Sequence, residues 1–137
     1  MVPKLMLAAL GTAGWITVGS SLKVWTAALD EKDGSGVSGS ARVETIKDDS
    51  VRATVNIKGA ASKASLSWGI HTGKCAALGA MLGGGGVYQA VQADSSGGGS
   101  ATSSLKLEFK SGTDYSVVVH GSPAGSVAAC GELKAGG

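Results

Sequence analysis

Residues 51–58 read VRATVNIK, and apolar and polar side chains alternate through this stretch. Successive side chains of a β-strand point to opposite faces of the sheet, so this pattern predicts a strand with one buried and one solvated face. The residues of the buried face are Val51, Ala53, Val55 and Ile57.

Seven other segments alternate in the same way or are rich in β-branched residues, which is typical of strands. They are 22–29, 37–45, 66–71, 87–94, 101–109, 114–120 and 127–133. Turn-forming sequences separate them, such as DEKDGSG at 30–36 and SSGGGS at 95–100. The segment 114–120 contains Val117, Val118 and Val119, which would make both of its faces apolar and places it centrally in a sheet. We therefore predict an all-β fold, an eight-stranded antiparallel barrel or sandwich.

The composition limits the size of the fold and the kind of partner. A chain of 137 residues with 43% hydrophobic and 16% charged residues is long enough for one domain. Its 23 glycines argue against a helical bundle, because glycine destabilises a helix interior by about 1 kcal/mol relative to alanine. The net charge of +2 is too small for the electrostatic binding of nucleic acids, so no nucleic-acid partner is expected.

The N-terminus has the layout of a secretory signal peptide. Lys4 precedes an uncharged run of about 14 residues at 5–18, and small residues follow. This run is shorter than the roughly 20 residues that cross a bilayer as a helix, so no permanent membrane span is expected. We predict that 1–21 is a signal peptide or N-terminal extension and that 22–137 is the domain. A retained segment that packs on the domain or on another copy is the alternative.

The two cysteines, Cys75 and Cys130, indicate the compartment. An even number of cysteines in an exported chain favours one intrachain disulfide, and hence a secreted, periplasmic or cell-surface protein. Two free thiols or a thiolate metal site are the alternatives, although no CxxC motif accompanies the cysteines.

Five segments in order resemble copper/zinc superoxide dismutase: LKVWTAAL (22–29), VSGSARV (37–43), WGIHTGKC (68–75), YSVVVH (115–120) and ACGEL (129–133). The resemblance covers essentially all of 22–137. It implies an eight-stranded Greek-key β-barrel and a disulfide between Cys75 and Cys130. A CHRD-type domain is a more distant alternative.

The resemblance also assigns metal ligands one by one. His71 matches the second histidine of a copper-binding H-x-H pair, and His120 matches the last copper ligand. Gly69 stands where the first histidine of the pair would be, and 72–86 contains none of the other histidine or aspartate ligands. Asp94 matches a turn aspartate, and Val127 stands about where an arginine would guide superoxide.

Two histidines in the whole chain are too few for the family's metal centres. Zinc takes four ligands in structural sites, and redox-active copper prefers several nitrogen or oxygen donors in a tetragonal arrangement. Catalysis by the family's mechanism is therefore not expected, and a residual copper/zinc superoxide dismutase ranks third among the functional hypotheses.

The first hypothesis is an exported, non-catalytic superoxide dismutase-like domain without a cofactor that acts as a structural or protein-binding module. It would contact a partner or another copy through the apolar coil 76–86 or the N-terminal segment. A cover over the barrel end and a flexible lid of small residues are the alternatives for this coil. The second hypothesis is a copper-handling protein that uses His71 and His120, with Met81 as a further soft donor. The alternative for the two histidines is a pair of neutral rings that hydrogen-bond backbone carbonyls and bind no metal.

Overall fold

The computed structural model describes residues 23–47, 49–110, 112–121 and 126–135. The predicted signal peptide and the centre of the turn at 121–125 lie outside these ranges. The described part of the chain is all-β and antiparallel, which confirms the predicted fold class. Within the same ranges, no helix has the length and hydropathy needed to cross a bilayer.

The strands follow each other along the chain with one short 3-10 helix, Gly85–Val87, between β5 and β6. They are β1 (Val24–Glu31), β2 (Ser38–Lys47), β3 (Ser50–Lys58), β4 (Ser65–Leu66), β5 (Trp68–Thr72), β6 (Val91–Gln92), β7 (Gly99–Leu105), β8 (Tyr115–His120), β9 (Val127–Glu132) and β10 (Lys134–Ala135).

One curled sheet forms most of the described structure. Its strands are neighbours in the order β5-β8-β9-β1-β2-β3-β7, and β10 also pairs with β1. β4 and β6 form a separate two-stranded sheet. The curled sheet gives a half-barrel, and its eight strands are not the eight segments predicted from the sequence. The closed Greek-key barrel therefore stays a prediction.

The predicted strand 87–94 was wrong over most of its length, since only Val91–Gln92 is extended and paired. The chain before it turns through the 3-10 helix, and the Tyr88 hydroxyl donates to the Leu82 carbonyl oxygen (2.7 Å). These interactions prevent the backbone of this segment from pairing as one continuous strand. The predicted strand 66–71 is likewise divided at Ser67, whose carbonyl accepts a hydrogen bond from the His120 amide.

The hydrophobic core lies on the concave side of the sheet, as the alternation predicts. The four apolar residues of β3 are all buried, while the polar residues between them are exposed or half-buried. β8 lies between β5 and β9, and Val117, Val118 and Val119 are all fully buried. Val117 and Val119 belong to the core cluster and Val118 does not. Both faces of this central strand are therefore covered, which confirms the prediction.

Aromatic side chains close one end of the core. The Trp25 and Phe109 rings meet edge to face with 4.7 Å between centres, and Phe109 stacks on Tyr115 at 4.4 Å. Such pairs contribute about 0.5–1.5 kcal/mol beyond the area they bury. This cluster fixes the segment between β7 and β8, because the Lys110 amide also donates to the Tyr115 hydroxyl.

Asp94 organises the turn between β6 and β7. Its Oδ1 accepts hydrogen bonds from the amide and hydroxyl of Ser96 (2.8 and 2.6 Å) and from the amide of Gly98 (3.1 Å). The hydrogen bond from the Ser96 hydroxyl is the largest cause that lowers the pKa of Asp94, because all of these bonds favour the charged carboxylate. Asp94 is thus a turn residue, as the resemblance implies.

Candidate metal site

The two histidines lie on the face of the β5–β8 pair that points away from the hydrophobic core, which we call the outer face. In the ladder, Gly69 pairs with Val118 and His71 pairs with Ser116. Side chains alternate along a strand, so His71 and Gly69 share the face opposite to the buried Trp68 and Ile70. The rings of His71 and His120 stand with their centres 5.9 Å apart. The structure therefore brings together the two residues that the sequence singled out.

The separation of the rings suits one shared ion. A metal–nitrogen bond of about 2.0–2.1 Å puts an ion about 3.2 Å from the ring centre, so two rings on one ion have centres no more than about 6.4 Å apart. The observed 5.9 Å lies within this limit. The planes are inclined by 58°, so the two rings do not stack.

Backbone carbonyls fix the tautomers of both rings. Nδ1 of His71 lies 3.0 Å from the Gly79 carbonyl oxygen, and Nδ1 of His120 lies 3.2 Å from that of Ser126. A carbonyl oxygen only accepts, so each neutral ring carries its proton on Nδ1 and keeps a lone pair on Nε2. Metal-binding histidines are commonly oriented by a hydrogen bond of this kind.

The Nε2 atom of His71 is the unusual atom of the site. This nitrogen is buried and has no hydrogen-bond partner. Every other buried side-chain nitrogen or oxygen atom of the described residues has one. Leaving a polar atom in this state costs about 1–3 kcal/mol, so native structures rarely do so without a reason. Hydrogen bonding to backbone carbonyls, the alternative given above for the two rings, accounts for both Nδ1 atoms and leaves this nitrogen unexplained.

Part of the coil 76–86 closes the free edge of β5. We call residues 79–82 the strap. The Thr72 amide donates to the Ala80 carbonyl (3.1 Å), the Leu82 amide donates to the Ile70 carbonyl (2.8 Å), and Met81 forms an antiparallel bridge with His71. The strap satisfies edge groups that would otherwise be open to another chain. It also supplies the Gly79 carbonyl that orients His71.

Two side chains hold the end of the strap in place. The Trp68 indole donates to the Gln89 carbonyl (2.6 Å), and its ring meets that of Tyr88 edge to face at 5.0 Å. Burial raises the pKa of Tyr88, so its hydroxyl stays protonated and donates to the Leu82 carbonyl. These roles could not be predicted from the sequence, because residues 87–94 have the alternation of a strand.

The disulfide between Cys75 and Cys130 is present, with 6.0 Å between the two Cα atoms. It confirms the predicted pairing and is typical of an oxidising environment. Cys75 lies midway between His71 and Gly79 in the sequence. The covalent bond therefore links the segment just before the strap to β9.

The donor atoms do not fit a copper/zinc dismutase centre. Among the described residues, no group of three or more histidines, cysteines, aspartates or glutamates is placed to hold a metal ion. The whole sequence has no third histidine. A pair of imidazoles with a nearby thioether, that of Met81, suits instead an ion that accepts few and soft donors.

No family model matches the chain, and no curated protein matches it. The likeness to copper/zinc superoxide dismutase therefore rests on the five sequence segments and stays a prediction. The geometry of the site is independent of that likeness, since it comes from the positions of the described residues.

Removing the disulfide should destabilise the domain. For a sequence separation of 55 residues, the chain-entropy estimate of the lost stability is about 4 kcal/mol. We expect Cys75→Ser/Cys130→Ser to have a free energy of unfolding lower by about this amount in urea titrations. The reduced wild-type protein is the matched control and should behave like the double variant. A loss below about 1 kcal/mol would show that the bond does not restrain the unfolded chain.

Proposed function

We propose that this protein is an exported copper-binding protein that holds one Cu(I) ion between the Nε2 atoms of His71 and His120. The protein carries or stores the ion and performs no dismutation. The observation that supports this proposal best is the buried, unpartnered Nε2 of His71 beside a second imidazole. The domain that carries the site is a superoxide dismutase-like Greek-key barrel.

The choice of Cu(I) follows from the number and type of donors. Zinc sites in proteins use four ligands or three with water, and Cu(II) prefers a tetragonal set of nitrogen and oxygen donors. Cu(I) combines a filled d shell, which imposes no geometry, with a single charge and a soft character, so two or three donors are enough for it. Two imidazoles that each carry the proton on Nδ1 and the lone pair on Nε2 therefore fit Cu(I) best.

The surroundings favour a preformed site. Each Nδ1 is fixed by a carbonyl, and the strap that carries one of these carbonyls is paired to β5. A ligand set that is already oriented loses little entropy when the ion binds. The disulfide supports an exported protein, since such bonds persist in oxidising compartments.

Removing either imidazole should abolish tight Cu(I) binding. We expect His71→Ala and His120→Ala each to weaken Cu(I) affinity by at least about 100-fold, or ~2.7 kcal/mol, in anaerobic competition with a chromophoric Cu(I) chelator. Gln92→Ala, an exposed substitution on β6, is the control and should bind as the wild type does. Wild-type affinity in the double histidine variant would refute the proposal.

A non-catalytic module that binds a protein partner or another copy is the second candidate. The coil 76–86 and the residue that follows it support this candidate, because Val87 is 46% exposed and Ala76, Ala77 and Ala80 are also exposed. Contiguous exposed apolar patches mark contact surfaces. The N-terminal segment, the other predicted contact, lies outside the described residues.

Sedimentation separates this second candidate from a monomeric copper carrier. If copies associate through the coil, the sedimentation coefficient should rise with protein concentration, and Val87→Asp should abolish that rise because it places a charge in the contact. Asn56→Asp, on the exposed face of β3, is the control because it changes the net charge by the same −1. A sedimentation coefficient that does not depend on concentration in the wild type would exclude self-association through the coil.

A further inference from the structure

We infer that Met81 supplies a third donor, its thioether sulfur, and that this sulfur makes the site selective for Cu(I) over Cu(II). The inference deepens the proposed copper site and rests on it. Three observations carry it: the pairing of Met81 with His71, the place of the sulfur atom, and the absence of a side chain at position 69.

The backbone places the Met81 side chain beside the imidazole. Met81 and His71 are opposite each other in an antiparallel bridge. Side chains of directly opposed residues in an antiparallel pair project on the same face of the sheet. The side chain of Met81 is therefore on the outer face, with the ring of His71.

The position of the sulfur is defined by Gly69. A Cβ atom at this residue would lie 2.9 Å from the Sδ and 2.7 Å from the Cε of Met81. Real Cβ atoms essentially never approach other atoms so closely, so the thioether occupies the space that any other residue would fill. Gly69 and His71 are two positions apart on one face of β5, so the sulfur lies on the same face as the imidazole, over the second residue before it in the strand.

The chemistry of this donor set is that of a cuprous site. Thioether sulfur is a soft, polarisable donor that selects Cu(I), whereas Cu(II) prefers nitrogen and oxygen donors in a tetragonal arrangement. Two imidazole nitrogens and one thioether give three donors, which is enough for Cu(I). Glycine at position 69 is consequently a specificity determinant, because it admits the sulfur in place of a fourth side chain.

Two variants test the role of the sulfur in different ways. Met81→Leu keeps the apolar volume and removes the donor atom. Gly69→Ala keeps the donor atom and displaces it, because the new Cβ overlaps the thioether. Leu78→Ala, a change in the same coil without a donor, is the control. Thermal unfolding of each metal-free variant establishes that it is folded.

The measurements are Cu(I) and Cu(II) affinities by chelator competition, and X-ray absorption of the anaerobic Cu(I)-loaded full chain. We expect the wild type to show one sulfur neighbour at about 2.3 Å from copper, a distance like that of other metal–sulfur bonds. Met81→Leu and Gly69→Ala should lose this neighbour. Both should bind Cu(I) about 10- to 100-fold more weakly, with Cu(II) affinity unchanged, so that the preference for Cu(I) falls by the same factor.

The outcomes separate this inference from the proposal on which it rests. If wild-type copper has no sulfur neighbour, or if Met81→Leu keeps wild-type Cu(I) affinity while His71→Ala loses it, the third donor is refuted and the two-histidine site stands. If His71→Ala also keeps wild-type affinity, the proposed function fails. If Cu(I) and Cu(II) affinities fall together in Met81→Leu, the residue supports the fold of the site and does not select the oxidation state.

Discussion

The hydrogen bonds between the strap and the edge of β5 are the constraint on which the candidate site depends. They place the Gly79 carbonyl against Nδ1 of His71 and bring Met81 opposite the same histidine. Without this pairing, β5 would be an open edge, and His71 would have no fixed tautomer. The disulfide at Cys75 and the Tyr88 hydroxyl hold the strap from its two ends. A segment that resembles a loop in the sequence is thus hydrogen-bonded to the edge of the sheet.

The strands were predictable where one face is buried and the other is solvated. The alternating apolar residues of β3 and the three valines of β8 are buried, as their patterns predict. The two cysteines form the expected disulfide. The strap was not predictable, because its small apolar residues have no period of two and its function depends on backbone carbonyls. The strand prediction for 87–94 was wrong for the opposite reason. Its side chains alternate, but hydrogen bonds from Tyr88 and Trp68 hold the chain in turns.

The candidate site was predictable in part. The resemblance selected His71 and His120 by their positions in two motifs, and the structure places their rings 5.9 Å apart. The buried state of Nε2 and the tautomers depend on which carbonyl each ring meets, and those carbonyls come from Gly79 and Ser126 in segments without a motif. Sequence alone identifies donor types, whereas the orientation of the donors needs the fold. Together they support a site with few, soft and preoriented donors, which favours holding an ion over redox catalysis.

The most direct test of this account observes the imidazole nitrogens themselves. In nitrogen-15 NMR spectra of the metal-free protein, the neutral form of each ring should be the Nδ1–H tautomer, because each Nδ1 donates to a carbonyl oxygen. One equivalent of Cu(I) should shift both Nε2 resonances and leave the Nδ1 protons in place. A proton on Nε2 of His71 in the metal-free protein, or Nε2 resonances that do not respond to Cu(I), would contradict the account.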